Sequence, residues 1–187
     1  MKLVQCFYCA VALLLLITGS GAAGAAPAVE GTPIPITPKP DFSQLQYLMG
    51  SWTCTDLSSR RPGPFTTTQV FSMDPSGYWI IRNDTIHRAS WIPAEVHSQT
   101  KITYDRFANR MVRITTGDLG GFAVSTAGPL VNGHRTWTYI VQTKAPDVSS
   151  YAPEVNTKVS DTKRTMTTSF TENNGRVVNV KETCIKS

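Results

Sequence analysis

The sequence predicts an all-β domain. It is read as an antiparallel meander of about eight to ten short strands closed into a barrel, with a short helix plugging one end. A two-sheet sandwich is the other arrangement the strand pattern allows. Three observations carry this reading. Past Gly50 no apolar repeat near 3.6 residues is sustained for ten positions. Threonine is the commonest residue from Asp41 onward, and β-branched side chains favour the pleated, half-buried surface of a sheet. Turn signals such as Asp74-Pro75-Ser76-Gly77, Asn132-Gly133 and Asn173-Asn174-Gly175 separate short alternating runs.

The chain opens differently. MKLVQCFYCAVALLLLITGSGAAGAA has a lysine, an apolar core from Val11 to Ile17 and then small residues, the pattern of a secretory signal cleaved near Ala23 or Ala25. The apolar run is shorter than the ~20 residues of a membrane span, and no later stretch approaches that length. Export to the periplasm or the medium, without an integral span, is the expectation. Residues 1–25 are read as the signal and 26–40 as a linker, whose prolines at 27, 33, 35, 38 and 40 hold the backbone extended. Residues 41–187 form the domain. With 187 residues, 41% hydrophobic and 17% charged, the composition suits one globular unit. The formal charge of +5 is dispersed, with Arg60-Arg61 and Lys163-Arg164 the only adjacent basic pairs. That argues against a nucleic-acid partner, which calls for a clustered patch or a stacking motif.

Asp41 and Gln44 stand at capping-box spacing, and Phe42, Leu45, Leu48 and Met49 share one face of a short helix that Gly50 ends. SWTCTDL follows as the first strand. A basic loop, SSRRPGP, leads to FTTTQVFSM, and the Asp74–Gly77 turn to a strand over Tyr78–Ile86. HSQTKITYD, RMVRITT, GFAVSTA and HRTWTYIVQT come next, the last two joined at Asn132-Gly133, among the strongest hairpin signals a sequence offers. Ala145–Asp161 reads as a long loop, a lid or a contact surface. KRTMTTSFTE and RVVNVKETCI close the chain.

Removal of the signal takes Cys6 and Cys9 with it and leaves Cys54 in the first strand and Cys184 in the last. An exported chain with two cysteines implies one disulfide. In a barrel it ties the seam where first and last strands meet, while in a sandwich it bridges the sheets.

A short helix running into Gly50-Ser51-Trp52 on the first strand of a meander resembles the calycin superfamily of lipocalins and fatty-acid-binding proteins. The stretch FSQLQYLMGSWTC is similar to secreted bacterial lipocalin-like proteins of uncharacterised function. The resemblance implies that the helix plugs one barrel end, that Gly50 and Trp52 belong to that plug, and that a basic residue of the final strand, Lys181 or Lys186, covers the ring. The Arg-x-Tyr carboxylate hook usual in fatty-acid-binding proteins is absent from the last strands.

Alternation puts Trp79, Ile81, Asn83 and Thr85 on one strand face. Arg135, Trp137 and Tyr139 share another. Trp79, Phe122, Arg135, Trp137 and Tyr139 are therefore the candidate lining of a pocket for a small hydrophobic or mildly acidic ligand. The competing reading is an envelope-associated or interaction protein whose barrel is filled and which works through its loops, with Arg60-Arg61 near the mouth. His87, His97 and His134 match no metal-ligand spacing, so neither metal nor cofactor is expected. No catalytic motif is present. An enzyme would need a cluster assembled in space, for instance His97, Asp84 and Tyr104.

Overall fold

The computed structural model describes residues 38–187. The expected signal segment, and all but the last three residues of the expected linker, lie outside them. A short 3-10 helix, Ser43–Leu48, precedes eleven strands. These are β1 (Gly50–Ser58), β2 (Phe65–Met73), β3 (Ile80–Ile86), β4 (Val96–Asp105), β5 (Arg110–Gly117), β6 (Phe122–Ala127), β7 (His134–Gln142), β8 (Val148–Tyr151), β9 (Glu154–Lys158), β10 (Lys163–Glu172) and β11 (Val177–Lys186). No helix of the described residues is long and apolar enough to cross a membrane.

Every ladder is antiparallel, and neighbours in sequence pair from β1 through β7. The sheet closes because β11 pairs with β10 on one side and with β1 on the other, from Trp52↔Lys186 to Ser58↔Val180. This closure selects the barrel over the sandwich and leaves no free first or last edge to template aggregation. Ten positions hold eleven strands. Both β8 and β9 lie against β10, β9 at Arg164–Thr167 and β8 at Phe170–Glu172. Between them stands Pro153, which has no amide hydrogen to give a ladder.

The expected loop Ala145–Asp161 is thus corrected: most of it is barrel wall. Its two strand pieces are short and proline-split, so neither shows enough alternation to be legible alone. A gap follows from the split. β7 pairs with β9 only through His134–Trp137, and among the described residues its remainder has no ladder to β8.

The β6–β7 hairpin turns on Asn132 (φ 49°) and Gly133 (φ 79°), the two left-handed residues that a type I′ turn needs. The β2–β3 connection is longer than the expected tight turn. Asp74 N donates to Trp79 O at 2.9 Å, so Tyr78 and Trp79 close the loop and β3 starts at Ile80.

The helix departs from expectation in its cap. Asp41 accepts from Ser43 N at 2.8 Å, but Gln44 makes no capping box and instead accepts from Leu130 N and Arg135 Nη2. Phe42, Leu45 and Leu48 are buried against Trp52, Phe71, Ile80, Ile102, Met111, Ala127 and Trp137. Cys54 and Cys184 face each other in register and are bonded, 130 positions apart in sequence. Chain-entropy models put the stabilisation from such a closure at about 5 kcal/mol.

Candidate functional site

The barrel interior has three levels. The lowest is the plug. Gly50, at φ 103°, swings the chain from helix into β1, a conformation that costs a side-chain-bearing residue far more than glycine. Trp52 is fully buried next to it and donates its Nε1 hydrogen to Leu48 O at 2.7 Å. Lys186 Nζ donates to Tyr47 O at 3.0 Å and stands 5.6 Å over the Trp52 ring. The expected basic cover is therefore Lys186, and Lys181 is exposed on the outer face.

Above the plug lies a charged layer. Arg82 pairs with Asp84 at 2.9 Å, Arg113 with Glu154 at 2.6 Å and Arg164 with Glu182 at 3.1 Å. Their alternate positions point inward because the same faces carry Ile80, Met111 and Cys184. Arg113 also donates Nε to Ser125 Oγ at 2.9 Å and stacks 4.5 Å over Trp137. Gln69 bridges the layer, donating to Glu182 at 2.8 Å and accepting from Arg164.

Burial on its own would raise the Glu154 pKa. The charge and hydrogen bonds of Arg113, the Asn156 amide and the charge of Arg82 together hold it down at about 2. Glu182 moves the other way: burial raises it, against the pull of Arg164 and Arg82. Asp56, its register partner on β1, has no cation at ion-pair distance among the described residues. Burial and then the Glu182 charge push its carboxyl up to about 7, opposed by the Thr67 hydroxyl and Arg164.

Because the folded pKa of Asp56 exceeds the ordinary 3.8, its contribution is most favourable below about pH 3.8 and declines as pH rises through 7. Asp56→Asn is therefore expected to match the parent protein near pH 4 and exceed it at pH 8 by on the order of 2–4 kcal/mol. Urea melts at the two pH values check this, and equal differences at both would refute it.

The third level is more accessible. Toward the far rim the inward positions Ile86, Val96, Ala123, Tyr139, Met166, Phe170 and Val180 are only half-buried, although Val178 and Glu172 there are buried. Those on the plug side are almost all buried. Tyr139, Tyr151 and Phe170 form an aromatic run here, with ring centroids 6.3 and 5.9 Å apart. An open depression of about 350 Å³ lies at the gap between β7 and β8, lined by Tyr139, Gln142, Lys144 and Tyr151 and by the exposed Ile140 and Val141. Tyr139 reaches the charged layer through its hydroxyl, which donates to Glu154 at 3.3 Å. Burial and the Glu154 charge push its pKa up to about 12, so it remains a donor.

Of the five residues expected to line a pocket, the structure brings three together. Arg135, Trp137 and Tyr139 share the inward face of β7. Trp79 precedes β3, whose inward face is Ile80, Arg82, Asp84 and Ile86, the opposite set from the one chosen on aromatic content. Phe122 lies on the outer face of β6 and is 48% exposed.

The cluster of His97, Asp84 and Tyr104 does not form. His97 faces outward at one end of β4, and Tyr104 sits seven residues on, roughly 23 Å along an extended strand. His87 and His134 bond to Thr68 and Thr157 on the outer surface. The Arg60-Arg61 loop is tied down: Arg60 pairs with Asp147 and Glu172, and Arg61 stacks 4.5 Å over Trp91.

No family model matches the chain, and no curated protein matches it. A solved structure of a DUF3598-family protein of unknown function from Nostoc punctiforme aligns over 84% of this chain and 53% of that one, at 15% identity and a TM-score of 0.37. This chain spans about half the length of that protein.

Proposed function

We propose that the chain is an exported, non-catalytic protein that holds a small amphipathic molecule in the rim half of its barrel. The observation that carries this reading is the accessible aromatic run Tyr139–Tyr151–Phe170 at the β7–β8 gap, set above hydrogen-bonding groups of the charged layer. Apolar walls with a few fixed polar groups are what small-molecule sites require. An apolar body would lie along the rings and Met166, and a polar end would meet Tyr139 and its neighbours. The leader-like N-terminus and the resemblance of the plug to calycins support the same reading.

Native mass spectrometry of the mature chain from the secreted fraction is expected to find one such passenger per barrel. Phe170→Ala is expected to weaken its retention about tenfold, the worth of one good aromatic contact. An empty protein that also fails to bind a hydrophobic fluorescent probe at a saturable site would refute the proposal. It would instead favour a filled barrel acting through its loops, the reading that the well-packed plug half supports.

A further inference from the structure

Between the plug and the charged layer lies a cavity of about 30 Å³, room for one or two water-sized species. Four arginines line it, Arg82, Arg113, Arg135 and Arg164, together with Tyr47, Asn156 and apolar side chains, and no carboxylate does. Three of the arginines have their acids, Asp84, Glu154 and Glu182. Arg135 has none among the described residues. It is 3% exposed and donates only to neutral oxygens, Nε to Gly128 O at 3.2 Å and Nη2 to Gln44 Oε1 at 3.0 Å. The Nε groups of Arg82 and Arg164 are buried without a hydrogen-bond partner among the described residues.

A buried charge is ordinarily paired, because desolvation without compensation is expensive. The chemistry of this lining is one-sided. Its polar groups are chiefly hydrogen-bond donors, and its charges are all positive. A water bridging such groups needs acceptors for its own two hydrogens, whereas a monatomic anion accepts from every side.

We propose that this cavity is a site for a halide-sized inorganic anion, which serves as the counter-ion of Arg135 and accepts hydrogen bonds from the surrounding guanidinium groups. Its volume excludes a larger organic carboxylate, so the site is distinct from the one at the β7–β8 gap. Burial that lowers the Arg135 pKa, opposed only by Tyr47, accords with a cation lacking its acid.

The test is thermal unfolding of the mature chain in sodium chloride or bromide against sodium gluconate at matched ionic strength. The parent protein is expected to gain roughly 3–6 °C, saturably, at a halide concentration about tenfold above its dissociation constant. In Arg135→Met the halide and gluconate curves should coincide. Crystals grown in bromide should show an anomalous peak beneath the plug, a readout that does not depend on the variant folding. Equal curves in halide and gluconate for the parent protein, a halide effect retained in Arg135→Met, or a map without that peak would each overturn the assignment.

Discussion

Trp52→Ala is expected to cost the fold about 3–5 kcal/mol, the range for deleting a large aromatic from a well-packed site. Three contributions add at this position. The ring is completely buried against the helix residues and the disulfide, so its removal leaves a cavity bounded by strands that closure holds in place. Leu48 O loses the hydrogen bond from Nε1 at the end of a 3-10 helix that has no side-chain N-cap. Lys186 and Arg164, 5.6 and 5.5 Å over the ring, lose an aromatic face as well. Trp52→Phe should retain most of the buried area and forfeit chiefly the hydrogen bond, costing about 1 kcal/mol beyond its smaller volume. Urea denaturation of the three proteins separates these contributions. A Trp52→Ala variant within 1 kcal/mol of the parent would mean that the helix does not depend on the ring for its seat.

The plug was legible in sequence because its signal is local. Phe42, Leu45 and Leu48 fall on one face, Gly50 breaks the helix, and Trp52 and Cys54 share the inward face of the next strand. The hairpin at Asn132-Gly133 was equally plain, since left-handed backbone demands those residues. The charged layer was hidden for a different reason. Arg82 alternates with Ile80 and Arg113 with Met111, but aromatic content favours the opposite face of the Tyr78–Ile86 run as the interior, and Arg164 meets Cys184 only across a ladder. A lone arginine in a strand is ordinarily solvated, and for two of the three the acid lies on another strand, 41 or 18 positions away: Arg113 finds Glu154 and Arg164 finds Glu182 only through the pairing of the sheet. The gap between β7 and β8 was illegible for the same reason. It arises where two ladders diverge, which no single run of residues encodes.

Glu154→Gln is the sharper test of that layer and is expected to destabilise the barrel by about 3–5 kcal/mol at neutral pH, as removal of one partner from a buried ion pair does. The substitution keeps the shape of the side chain but fails twice. Arg113, 5% exposed, is left charged in the interior. The new amide nitrogen must also replace one of two acceptors, Oε1 facing Arg113 Nη1 at 2.6 Å and Asn156 Nδ2 at 2.6 Å, or Oε2 facing Arg113 Nη2 at 3.1 Å and the Tyr139 hydroxyl. Either orientation sets a donor against donors.

The pH dependence fixes the cause. The folded pKa of Glu154, about 2, is below its ordinary 4.5, so its stabilisation is fully present above about pH 4.5 and fades as pH falls through 2. The difference between the parent and Glu154→Gln should therefore narrow progressively across that interval. Arg113→Met combined with Glu154→Leu, which removes both charges together, should recover most of the loss, since a buried pair replaced by apolar groups is often neutral. If the double variant is as unstable as Glu154→Gln, the pair is needed for the geometry around Trp137 and Tyr139 rather than for its own balance of charge, and the rim site built on Tyr139 should lose its ligand in both variants.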